Sequence, residues 1–410
     1  MWLYNLGISL YAGAIRAVAP WHEKARLWCR GRKNLLQSMS ETISPSDHIV
    51  WVHAASLGEF EQGRPIIERL KRDYPSYKIL LTFFSPSGYE IRKNYAGADY
   101  VFYLPADTPS NAKRFLDIVH PEVAIIIKYE FWLNLLAELR RRKVRTFIVS
   151  AIFRRNSIFF RSYGKLWREA LRSFETLFVQ NEESRQLLAQ IGFNNVVIAG
   201  DTRFDRVAQI AEAAQRVELV ERFKGTKRLF VAGSTWGPDE ELLLPLINAN
   251  PEVKFVVAPH EMEEARIAHL MSQCVGGAVR YTQVTAQSDF SGVQVLVLDT
   301  MGILSSVYGS AQWAYIGGGF GVGIHNTLEA ATFGLPMAFG PTYGKFKEAC
   351  DMVKLGCATS VTSSEALQTW FAPLRDDATL LARQSRTAKD YTLSHQGATA
   401  TIVEHIFARK

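Results

Sequence analysis

From residue 48 the chain alternates short apolar runs with longer amphipathic stretches. HIVWVHAAS, YKILLTFFS, ADYVFYLPAD, EVAIIIKYEFW, RTFIVSAIF, TLFVQN and VVIAGDTRF follow one another, most of them closed by Gly, Ser, Pro or charged residues. Runs with no polar face predict strands buried on both sides, as in parallel sheets. The intervening stretches, such as GEFEQGRPIIERLKRDYP from Gly58, predict the crossover helices that parallel pairing needs. A polar helical stretch over 206–228 breaks the series. RLFVAGSTW, VKFVVAPHE, VQVLVLDTMG, WAYIGGGFG and LPMAFGP then restart it, and 377–409 reads as helical. The expectation is an α/β chain of two successive doubly wound domains.

The first twenty residues, MWLYNLGISLYAGAIRAVAP, carry one charge, Arg16, and run into Lys24, Arg26, Arg30, Arg32 and Lys33. A signal peptide has its basic residues ahead of the apolar run, not behind it. The run is marginal for a full span. It predicts a short anchor or an interfacial helix over 1–33, with Trp2, Tyr4, Tyr11 and Trp21 at headgroup level and the cations on the cytoplasmic side. An N-terminal core helix is the alternative.

Composition narrows the classes. At 410 residues, with 48% hydrophobic and 21% charged residues, the chain can fill two cores and is not a disordered one. The four cysteines form no CxxC pair, so no disulfide framework or zinc site is expected. A net charge of +7 suits an anionic partner. Between Glu138 and Arg172 there are eleven Lys or Arg against two acids, interleaved with Phe159, Phe160 and other aromatics. Arg154, Arg155, Phe159, Phe160 and Arg161 are therefore candidates for a surface that meets phosphates and acyl chains, or else an ordinary solvated face. No nucleic-acid-binding module is recognisable.

Ligands of open parallel sheets bind beyond the carboxyl ends of the strands, so chemistry is sought there. His53 to Phe60 puts Glu59 at a helix N-terminus, where the macrodipole favours a carboxylate; it could act as a base or merely cap. Glu130, in Lys128 to Asn134, leaves a buried strand. Arg203, in Gly200 to Asp205, could reach an anion or be tethered by Asp201 or Asp205. Ser234 and Thr235 end a strand before an acidic helix start and suit a phosphate or carboxylate. Gly317 to Pro341 is the richest stretch: Gly318, Gly319 and His325 lie in a glycine-rich loop, and Asn326 and Glu329, three apart on the following helix, share a face that could hold a base or ribose. The alternative for that pair is a capping box. No Walker loop, HExxH or G-x-S-x-G is present, and metal-independent chemistry is expected.

These blocks, in this order from about His53 to Pro341, resemble the 3-deoxy-D-manno-octulosonic acid (Kdo) transferases of lipopolysaccharide biosynthesis. The resemblance implies a GT-B fold: two Rossmann-like domains facing an inter-domain cleft, here 34–206 for the acceptor and 225–376 for the CMP-sugar. The segment 377–410 is then expected to return to the first domain. It implies inverting transfer of Kdo from CMP-Kdo to a lipid A precursor (lipid IVA), with no cofactor or metal, at the cytoplasmic face of the bacterial inner membrane. Glu59 is then the general base and Glu130 a transition-state or structural partner. Arg203 stands where such proteins usually carry Lys. Pro259, His260, Met301, Gly302, Ile303, Asn326, Thr327, Leu328 and Glu329 match CMP-contacting segments, although His260 replaces the usual Arg and Ile303 the common Glu. The alternative is a GT-B enzyme for another nucleotide sugar, a UDP-sugar transferase or epimerase.

Overall fold

The computed structural model describes residues 1–408. The chain forms two compact units, Met1–Arg206 with the segment from Gln396, and Val207–His395. The second boundary therefore falls later than the 377 expected from sequence, because the helix Ala378–Ser394 belongs to the second unit.

The first unit is built on strands β1 (Ile49–Ala54), β2 (Lys78–Phe83), β3 (Tyr100–Tyr103), β4 (Val123–Ile127), β5 (Arg145–Ala151), β6 (Thr176–Val179) and β7 (Val196–Ile198). They make a seven-stranded sheet in the order β3-β2-β1-β4-β5-β6-β7, every pair parallel. β1 and β4 are buried along their whole length, as runs without a polar face require. Cutting a central residue such as Ile125 to Ala would cost about 2–5 kcal/mol.

The second unit holds β8 (Arg228–Thr235), β9 (Val253–Pro259), β10 (Ala278–Arg280), β11 (Val295–Val297), β12 (Trp313–Ile316), β13 (Met337–Phe339) and β14 (Ala358–Ser360). Their order is β10-β11-β9-β8-β12-β13-β14, again all parallel. The sequence pattern misses β10 and β14. Both are three-residue edge strands, too short for periodicity to register.

Each sheet has one switch point. In the first, the chain leaves β1 towards β2 and β3, then returns to the other side at β4. In the second, it leaves β8 towards β9 and later returns at β12. Loops leaving the two neighbouring strands diverge there and open a crevice at the carboxyl edge. The crevices lie after β1 and β4, and after β8 and β12.

Helix α1 (Trp2–Val18) spans roughly 25 Å at the standard rise, and no helix among the described residues is long and apolar enough to cross a membrane. Its inner side is tied to the first unit. The Tyr4 hydroxyl donates to Asp107 at 2.7 Å, and the Asn134 amide donates to Asn5 at 2.8 Å. Tyr4 therefore faces the protein and not a headgroup layer, because Asp107, which caps the helix Leu133–Arg141, accepts its hydrogen bond. Trp2, Leu3, Leu6, Leu10, Val18 and Trp21 remain exposed. Helices α2 (Glu23–Arg30), α3 (Leu35–Thr42) and α4 (Leu57–Asp73) follow. At the other end of the chain, Ile402, Val403, Ile406 and Phe407 pack into the first unit's core with Val50 and Val52.

Candidate functional site

The crevice after β1 and β4 gathers His53, Glu59, Lys128 and Glu130. Ser56 starts α4 and Glu59 sits at its third position, completing a capping box. Glu59 Oε2 accepts from the Ala55 amide at 2.6 Å and from the Ser56 amide at 3.2 Å. Oε1 takes no hydrogen bond among the described residues. The two oxygens divide the two roles foreseen from sequence: one caps, and the other remains able to take a proton. Burial, reinforced by the Glu130 charge, raises the Glu59 carboxyl above its ordinary range, against the pull of the Ala55 N–H, His53 and Lys128.

Glu130 lies just beyond β4 with its carboxylate 3.6 Å from His53 Nε2. His53 is wholly buried, with Nδ1 2.9 Å from the Thr82 hydroxyl and 3.1 Å from its carbonyl. Lys128 occupies the left-handed region at φ 60°, as do Ser150 in β5 and Ser234 in β8. Non-glycine residues held there store strain, which concentrates where a site dictates the backbone.

Arg203 is held by Asp201. Its Nε donates at 2.9 Å and its Nη2 lies 2.8 Å from the buried carboxylate, which also receives the Gln62 amide at 3.0 Å. Burial would raise Asp201, but Arg203 overcomes it and holds the carboxyl below its usual range. The tether to Asp201 foreseen for Arg203 is present.

The crevice after β8 and β12 contains a cavity of about 450 Å³ lined by Trp236, Asp239, His260, the Gly318–Gly323 loop and His325. Three rings stack along it: Trp236 on His260 at 4.8 Å and His260 on His325 at 4.3 Å. The Trp236 indole donates to His325 Nε2 at 3.1 Å. Burial, helped by His260, lowers His325 to about 4, so its ring is uncharged at neutral pH. Asp239 anchors the loop. It accepts from the amides of Trp236 and Gly318, both at 2.9 Å, and from the Tyr315 hydroxyl at 2.8 Å. Gly318 and Gly319 are required as glycines: Gly318 has φ 90°, and a Cβ on Gly319 would lie 2.5 Å from Gly340.

Several expected contacts change. The Thr235 hydroxyl donates to Glu240 at 2.8 Å inside the core, so Ser234 alone of that pair keeps a hydroxyl near the loop surface. Asn326 precedes its helix, Leu328–Thr332, yet still donates to Glu329 at 2.9 Å, and Ser305 donates to the other Glu329 oxygen. Leu328, Thr327 and Pro259 are buried and present no side chain to a ligand, whereas His260, Met301 and Gly302 are exposed and Ile303 is half-buried.

Known proteins resemble this chain in both sequence and fold. The sequence family described as "3-Deoxy-D-manno-octulosonic-acid transferase (kdotransferase)" matches residues 24–206. The 3-deoxy-D-manno-octulosonic acid transferase of Bordetella pertussis is 27% identical over 428 residues, spanning 96% of this chain and 97% of that protein. The transferase of the same name from Aquifex aeolicus is 27% identical over 80% of this chain and 86% of its own. Residues 24–206 thus match the Kdo transferase family, and the chain is similar to Kdo transferases over nearly its whole length. It is a glycosyltransferase of the GT-B fold. That fold is shared with UDP-GlcNAc 2-epimerase from Neisseria meningitidis (TM-score 0.63, 13% identity, 88% of this chain and 100% of that one). Acinetobacter baumannii MurG has it too (TM-score 0.55, 13% identity, 88% and 99%).

The segment that matches the Kdo transferase family contains Glu59, Glu130 and Arg203, and also the basic stretch. There Arg154, Arg155 and Arg161 are exposed and form no ion pair among the described residues. Phe159, however, is buried against Phe131, Phe153 and Trp167 and cannot meet acyl chains, and Phe160 is partly buried beside it. Sequence reading named Asp201 as a tether for Arg203 but missed Asp239 as an anchor. A short acid next to a strand-end loop was the available signal.

Proposed function

We propose that this glycosyltransferase moves Kdo from CMP-Kdo onto a lipid A precursor (lipid IVA), with inversion at the anomeric carbon, in lipopolysaccharide inner-core assembly. The observation that carries the reading is Glu59: one oxygen fixed by two backbone amides, the other unclaimed, at the switch point of its sheet. In the proposed reaction Glu59 takes the proton of a glucosamine hydroxyl as that oxygen attacks the anomeric carbon and CMP leaves. Charge grows on the departing phosphate. The Gly318–Gly323 loop amides and Ser234 are the groups proposed to receive it, and Asn326 with Glu329 to hold the nucleoside. Neither step calls for a metal or a cofactor.

The enzyme is proposed to work at the cytoplasmic face of the inner membrane. The exposed apolar side of α1 and the unpaired Arg154, Arg155 and Arg161 support that placement. The deciding experiment incubates the full chain with CMP-Kdo and a tetraacyl lipid A precursor, in the presence of EDTA, and weighs the product. A mass gain of one or more Kdo units is expected. Inhibition by UDP but not by CMP, with no mass gain, would instead point to another nucleotide sugar.

A further inference from the structure

A second cavity, of about 500 Å³, opens in the first unit. Its walls come from α1, α2, the start of α3, the loop after β3 and the helix Pro109–Val119 that follows it. Arg16, Arg32, Lys33 and Arg114 line it, and no carboxylate does. Arg16, Lys33 and Arg114 have no ion pair among the described residues.

The enclosed parts of the wall also lack an anion. Arg32 donates to the carbonyls of Phe84 at 2.8 Å and Leu104 at 2.9 Å and lies 4.0 Å over the Trp28 ring, with no acid beside it. Burial lowers its guanidinium to about 9. Trp28 is 5% exposed, and its indole N–H has no acceptor. Helix α3 begins at Asn34, which is left-handed (φ 56°) and supplies no side-chain cap, and the first-turn residues Leu35, Leu36 and Gln37 line the same cavity. Uncapped first-turn amides and the positive end of the helix dipole favour a negative group. Cations, orphan donors and a helix start thus converge on one volume.

We propose that this cavity binds a phosphate ester, and that the ester is the headgroup phosphate of an anionic membrane lipid. The source follows from α1. Arg16 belongs to that helix, whose outer side exposes Trp2, Leu3, Leu6, Leu10 and Val18. A bilayer lying on those side chains brings its headgroup phosphates to the mouth that Arg16 guards. Binding here is independent of any role of Glu59.

The test measures partitioning of the full chain onto phosphatidylcholine vesicles with and without phosphatidylglycerol. R16S/K33S/R114S removes the cavity's exposed cations and spares Arg32 and Trp28. K24S/R26S/R30S removes the same charge from the neighbouring solvent face. The cavity variant is expected to lose at least about a hundredfold of its phosphatidylglycerol-dependent affinity, at about fivefold for each cation, and the control clearly less, because its cations do not line the cavity. Equal losses in the two variants, at unchanged thermal stability, would mean diffuse attraction and overturn the site. Glycerol 3-phosphate binding as tightly as the vesicles would overturn the lipid as its source.

Discussion

The Trp132 indole N–H points at His53 Nε2 from 3.3 Å, and this bond assigns His53 the Nδ1–H tautomer, which donates to the Thr82 carbonyl. Glu130 Oε2 lies 3.6 Å from the same Nε2. Trp132 and Glu130 thus compete for one ring nitrogen at the crevice of β1 and β4. W132F keeps a ring against Phe84, whose centroid is 4.5 Å away, but removes the N–H. Nitrogen-15 NMR should then show His53 moving towards the Nε2–H tautomer, now donating to Glu130. Unchanged ring signals would refute the lock.

Glu59→Ala removes both the base and the cap. Turnover should fall at least about a hundredfold, and stability by about 1 kcal/mol. Near-normal transfer by the folded variant would take Glu59 out of the reaction. Its raised carboxyl also sets a pH signature. The folded state holds the proton more tightly than the unfolded chain, so the associated stability is present at low pH and lost as pH rises through the folded value. The melting temperature of E59Q, relative to the parent, should therefore climb between pH 4 and pH 8.

Asp201→Asn leaves the Arg203 guanidinium without its carboxylate. Loss of one partner of such a pair costs about 3 kcal/mol, readable as a lower urea midpoint. Because the folded Asp201 carboxyl lies below its ordinary range, its stabilisation is present above the unfolded value and disappears as pH falls through the folded one. The difference between parent and D201N should accordingly shrink in acid.

His325, lowered to about 4, resists protonation in the folded state. Its contribution is present above the ordinary histidine range, near 6.5, and is lost as pH falls from there towards 4. H325Q can still accept from Trp236 but does not titrate. Thermal melts from pH 7 to pH 4 should show a drop in the parent that H325Q lacks.

Asp239→Asn substitutes an amide that cannot accept from Trp236, Tyr315 and Gly318 together. Losing a hydrogen bond to a charged acceptor costs about 1.5–3 kcal/mol, and here the loss loosens the glycine loop. Calorimetry with CMP should show at least about tenfold weaker binding, with the fold retained.

The amino-acid sequence by itself settled the strands of both sheets that are long enough to be apolar throughout, and the positions of the loops that leave them. β1 and β4 are legible because a residue buried on either face must be apolar, and that constraint is local. Glu59 was legible for the same reason: an acid at a helix start is a matter of spacing. Tertiary structure alone decided what those residues do to one another. Arg203 is claimed by Asp201, Thr235 by Glu240 and Tyr4 by Asp107, and Phe159 belongs to the core. Tyr4 and Asp107, like Trp132 and His53, lie far apart along the chain, and no periodicity records such a pairing. Burial and long-range partners set the protonation of Glu59 and His325, since both depend on which groups the fold brings within a few ångströms.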